Sequence, residues 1–172
     1  MGWQDIAREA AAAVGLDYKV LAATVEAETG GSNIVGDGGE ATGYGQVWLT
    51  WHDWRLNQAA GMLGLELPSG IEARRQAVLN NDQLSMYLAA LVTKGYWDAT
   101  GGDWEAFTKR YVGPGIPDSD LERRRVIWER YQGNAGATGG LQVMPVDGQA
   151  VLIVGLSVAA VLAILGGSKG RG

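Results

Sequence analysis

The stretch Asp17-Tyr18-Lys19-Val20-Leu21-Ala22-Ala23-Thr24-Val25-Glu26-Ala27-Glu28-Thr29-Gly30 decides how the chain is read. A helical wheel places Leu21, Val25 and Glu28 in one narrow arc, with Glu26 on the far side beside Lys19, Ala22 and Ala23. Asp17 suits an N-cap and Gly30 or Gly31 suits the left-handed residue that ends a helix. Glu28 therefore falls in the last turn and faces the core. Apolar surroundings and the negative end of the helix dipole both disfavour a carboxylate, so both raise its pKa. A carboxylic acid that keeps its proton near neutral pH can protonate a leaving oxygen. On helix geometry alone, a helix-end glutamate reaching into water is the commoner case.

Working outward, the next segment is Gly30-Gly31-Ser32-Asn33-Ile34-Val35-Gly36-Asp37-Gly38-Gly39-Glu40-Ala41-Thr42-Gly43-Tyr44-Gly45, which holds seven glycines. It is too irregular for a strand and lacks the Gly-Lys-Ser/Thr ending of a phosphate cradle. A long loop of this kind in a compact domain is usually functional.

Here the residues resemble the soluble lytic transglycosylase family, relatives of goose-type lysozyme. That family is marked by Glu-Ser, then Gly fifteen residues after the Glu and Gln three further on. This chain has Glu28-Thr29, Gly43 and Gln46 at those spacings. Tyr87-Leu88-Ala89-Ala90-Leu91 is similar to the family's Tyr-Leu-x-x-Leu helix, and Gly102-Asp103-Trp104 running to Tyr111-Val112-Gly113 is similar to its Ala-x-Tyr-Asn-x-Gly segment. The likeness spans roughly residues 17–132 and departs at three places. Thr29 replaces Ser and keeps the hydroxyl, Tyr44-Gly45 replaces aliphatic residues at what would be a sugar subsite floor, and Val112 replaces Asn.

The resemblance implies a lysozyme-like helical domain that cleaves the bond between N-acetylmuramic acid and N-acetylglucosamine in peptidoglycan. It implies Glu28 as the catalytic acid and then base, closing a 1,6-anhydro ring, with Thr29, Gly43, Tyr44, Gln46 and Tyr111 at the substrate. No cofactor is implied, and no metal, since His52 is the only histidine and cysteine is absent. Two alternatives stay open: a hydrolytic muramidase with Asp37 or Glu40 positioning water, and a non-catalytic wall-binding or pore-forming structural protein.

Composition limits the rest. A chain of 172 residues that is 47% hydrophobic and 19% charged is globular in class and has room for one good core. Residues 1–148 carry 12 Lys+Arg against 19 Asp+Glu, a net −7 that argues against nucleic acid as partner. Arg123-Arg124-Arg125 shares its helix with Glu122 and Glu129 and reads as a solvated face. The spacing predicts helices at 3–14, 17–29, 49–61, 71–79, 82–94, 103–112 and 120–132, the last capped by Ser119 with Glu122. At most a short hairpin fits the glycine loop. Trp3, Ile6, Ala10 and Val14 form one core stripe, and Val47, Trp51 and Trp54 are expected to form another.

Beyond the 1–132 domain, 133–149 reads as a glycine-rich linker; its Gly140-Leu141-Gln142 only superficially repeats the family motif, since Arg124 stands where the acid belongs. Residues 150–167 lack any charge over 18 positions, spanning ~27 Å as a helix at ~1.5 Å per residue, and are expected to form a transmembrane helix in a lipid bilayer. A basic tail occupies 168–172. Asp5 and Glu9 interrupt any signal-peptide run. These features together suggest a membrane-anchored component of a bacteriophage virion or the bacterial envelope, with virion proteins as further partners.

Overall fold

The computed structural model describes residues 2–133, and the residues through Tyr131 form one compact unit. Seven helices carry it: α1 (Trp3–Val14), α2 (Tyr18–Thr29), α3 (Leu49–Leu63), α4 (Ile71–Leu79), α5 (Asp82–Ala99), α6 (Trp104–Val112) and α7 (Asp118–Tyr131). Between α2 and α3 the glycine loop folds into a three-stranded antiparallel sheet of two-residue strands, β1 (Val35–Gly36), β2 (Ala41–Thr42) and β3 (Val47–Trp48), in that spatial order.

Helix α5 is the pillar. Its residues from Leu84 to Thr93 are buried without interruption, the pattern of a helix surrounded by others rather than lying on a surface. Ala7, Ala10 and Ala11 let α1 lie against this core, and Tyr87 reaches out to Glu9 with its hydroxyl at 3.3 Å. Leu21, Leu49, Leu56, Met86, Leu88 and Phe107 complete one apolar cluster drawn from α2, α3, α5 and α6.

The mainly helical expectation holds, but three particulars are corrected. First, α7 starts at Asp118, ahead of the Ser119 capping box, because the Pro117 carbonyl already accepts the N–H groups of Asp120 and Leu121 at 3.0 Å. Second, Trp51 and Trp54 are not core: they are 73% and 59% exposed. Val47 belongs to β3, so it cannot set the helical phase. The buried face of α3 runs through Leu49, Leu56, Ala59 and Ala60, opposite the two indoles.

Third, the expected fold class included a transmembrane helix and the expected localisation was membrane. Among the described residues, no helix is long and apolar enough to cross a membrane. Only α5, at 18 residues, has the length, and it carries Asp82, Lys94 and Asp98. The fold class is therefore corrected to mainly helical, and the membrane assignment falls with the span. The expected linker at 133–149 is described only at Gly133, and the expected span at 150–167 and tail at 168–172 lie outside the described residues.

Candidate active site around Glu28

Helix α2 forms as its sequence predicts. The Asp17 carboxylate accepts the Lys19 N–H at 2.9 Å, and Gly30 closes the helix at φ 62°. Its burial, however, is not one-sided. Ala22 and Ala23 on the supposed far side are buried too, and the small side chains of Ala23 and Ala27 allow α7 to pack there with Ile127.

That packing brings an arginine onto Glu28. Arg124 donates from one terminal nitrogen to Glu28 Oε1 at 2.7 Å and from Nε to Asp120 Oδ2 at 2.9 Å, and the Arg124 and Glu28 side chains are only 9% and 13% exposed. Arg123 donates to the Ala27 carbonyl at 3.0 Å, satisfying an open carbonyl at the helix C-terminus. The expected solvated face thus applies to Arg125 but not to Arg124. The α7 positions 120, 123, 124, 127 and 131 recur at helical spacing and form the seam with α2. Glu26 meets the end of the same helix, with Arg130 and the Tyr131 hydroxyl each at 2.7 Å.

Burial pushes the Glu28 carboxyl above the usual carboxylate range, and the Arg124 charge and hydrogen bond pull against it without reversing the direction. Asp120 goes the other way: burial would raise it, but hydrogen bonds from Arg124 and Arg123 hold it low.

The glycine loop is locked to this helix end by the residues the motif singles out. Thr29 Oγ1 donates to the Tyr44 carbonyl at 3.2 Å as well as to Val25 O at 3.1 Å. The Tyr44 N–H donates to Ser85 Oγ at 3.1 Å on α5. Gly43 sits at φ 81° with its bare Cα against that same Ser85 hydroxyl, where a Cβ would clash. Gln46, itself at φ 47°, donates from Nε2 to the Ile34 and Gly43 carbonyls at 3.1 and 3.0 Å. Tyr111 donates its hydroxyl to the Gly45 carbonyl at 2.7 Å. Its pKa is raised, first by burial and next by the nearby Glu28 charge. The Tyr111 ring packs edge-on against Tyr96 at 5.6 Å.

Beside the loop lies a cavity of about 480 Å³, walled by Asp37, Gln46, Trp51, His52, Arg110 and Tyr111 among others. This size and mixed apolar and polar lining suit a small organic ligand such as a sugar unit. Of the sequence-predicted residues, Gln46 and Tyr111 line it. Glu28, Thr29, Gly43 and Tyr44 do not: the Tyr44 side chain is buried in the core and forms no subsite floor, while Thr29 and Gly43 brace the loop. Tyr111, which lines the cavity, is close enough to Glu28 to feel its charge. Glu40 faces Arg75 at 3.9 Å, whereas Asp37 is at the cavity and accepts from Trp48 Nε1 at 3.4 Å. Val112, where the family has Asn, also lines the cavity, as do the indole of Trp51 and the imidazole of His52. Burial and then Arg55 lower the His52 pKa, favouring the neutral ring.

Sequence reasoning missed Arg124, Trp51 and His52 as site residues. Only the i, i+3, i+4 recurrence around Arg124 could have signalled the first. Among the described residues, no three His, Asp or Glu side chains gather as a metal site. No protein-family model, no curated protein and no solved structure matches this chain.

Proposed function

We propose that the chain is a peptidoglycan-cleaving lytic transglycosylase with Glu28 as its acid and base. The observation that carries this reading is a glutamic acid almost withdrawn from water, its pKa raised by burial, at the end of a helix to which the glycine loop bordering a sugar-sized cavity is tied through Thr29 and the Tyr44 carbonyl. In the forward step the Glu28 O–H gives its proton to the glycosidic oxygen as the C1–O bond breaks. The resulting carboxylate then takes the proton of the C6 hydroxyl as O6 bonds to C1. Glu28 ends protonated, and no water is consumed. A tethered hydroxyl competes well with bulk water because its effective concentration is high.

The test is digestion of purified cell wall with mass spectrometry of the products. Anhydro-muropeptides, lighter than hydrolysis products by one water, support the reading. Their absence, together with intact wall in a zymogram, sinks it.

One observation favours a second reading. Asp37, unlike Glu40, stands at the cavity with an acceptor oxygen available, as a base that positions water in a hydrolase would. Reducing-end products that vanish with Asp37→Asn would establish that enzyme instead.

A further inference from the structure

We propose that Arg124 is a positioning residue for Glu28: bridging Asp120 on α7 and the carboxyl at the end of α2, it compensates the carboxylate that proton donation leaves behind. This inference rests on the reading of Glu28 as the acid.

The geometry comes first. Arg124 is buried and divides its planar guanidinium between two carboxyl groups, Nε to Asp120 and a terminal nitrogen to Glu28. An arginine cannot lose its charge in a protein, and its fixed fork holds each partner at a set angle. Asp120 orients Arg124, which orients Glu28.

The charged groups acting on Glu28 all come from α7: Arg124, Asp120 and Arg123. From α6 the Tyr111 phenol approaches, and burial keeps it neutral. The neighbouring Glu26 is engaged by Arg130 and Tyr131. Arg124 is therefore the principal compensating charge at Glu28.

Burial favours the neutral form of Glu28 and so disfavours the carboxylate that proton donation leaves. A fixed cation beside the carboxyl interacts with the anion far more than with the neutral acid, so it favours the state formed during bond cleavage. A buried ion pair adds little to stability over an apolar pair, because desolvation offsets the attraction. A chemical role explains what a purely structural brace would not.

The test uses the full chain and two readouts. The first is a ¹³C NMR titration of the Glu28 carboxyl, assigned with Glu28→Gln, in wild type, Arg124→Met and Arg124→Lys. The second is the pH profile of wall cleavage. Arg124→Met should move the Glu28 midpoint up by roughly 1–3 pH units. The alkaline limb of kcat should move with it, and kcat should fall on the order of 100-fold with little change in KM. Arg124→Lys should bring the midpoint back towards wild type. If the Met variant does not fold, Arg124→Gln, which keeps hydrogen bonding without charge, carries the same comparison. An unmoved midpoint in the uncharged variant, or Lys behaving like it, overturns the proposal. The titration needs no catalysis, so a wild-type protein that leaves wall intact rejects the enzymatic reading while the titration still reports whether Arg124 governs Glu28.

Discussion

At Glu28, withdrawal from water and the charge of Arg124 oppose each other, and the net direction fixes two predictions. The first separates the neighbours on α2. Glu28→Gln should abolish wall clearing with the circular dichroism spectrum unchanged, whereas Glu26→Gln, which disturbs only the pairing with Arg130 and Tyr131, should keep most of it. Comparable loss from both variants would remove the case for Glu28. The second follows from linkage. A carboxyl whose folded pKa is raised binds more protons in the native state between the unfolded and folded values, so its contribution to stability is full below the unfolded pKa and fades as pH rises through the folded one. The melting temperature of wild type relative to Glu28→Gln should therefore fall from acid towards neutral pH. A difference that grows over that interval would contradict the direction assigned here. Tyr111→Phe supplies a third prediction. It orphans the Gly45 carbonyl and should cost about 1–3 kcal/mol in denaturant titration.

At the scale of elements, α3 and α7 show what patterning can and cannot reveal. The helices were legible because apolar residues recur at the helical period and Asp17 stands where a cap is needed; it accepts a backbone N–H in the first turn, as do Asn81 and Asp103, which were not expected as caps. The faces were less legible. Counting Val47 into α3 rotated the assumed core face onto Trp51 and Trp54, although Val47 belongs to a strand. Nor could a wheel show that α2 is covered on both sides, since that depends on α7 returning from far along the chain. Arg124 reads as solvated beside Glu122 and Glu129, but its partners are Asp120 and Glu28. Among the candidate site residues, the helical wheel singled out Glu28 and the family resemblance singled out Gln46 and Tyr111; the latter two line the cavity, Glu28 does not, and Thr29 and Gly43 brace the loop. A fourth prediction uses α3 directly. Trp51→Ala should leave stability within about 0.5 kcal/mol of wild type yet weaken binding of N-acetylglucosamine oligomers in a fluorescence titration. Leu56→Ala, on the opposite face, should lose about 2–5 kcal/mol. Equal oligomer affinity in wild type and Trp51→Ala would detach the indole from the cavity's function.

Over the whole molecule, the contacts that complete the site are long-range: Arg124 lies 96 residues beyond Glu28, and Tyr111 lies 66 beyond Gly45. Translation delivers domains from the N-terminus, so α2 and its acid leave the ribosome well before α7. Until α7 docks, Glu28 has no Arg124 beside it. The arginine and its supporting aspartate travel together on the same helix, so counter-charge and orientation arrive in a single docking event. Trp128 comes with them and stacks on Trp104 of α6 at 4.7 Å with the planes 2° apart. The consequence is temporal: α2 is synthesised well before α7, so the Glu28 carboxyl meets its buried counter-charge only once the chain has been made through Arg124.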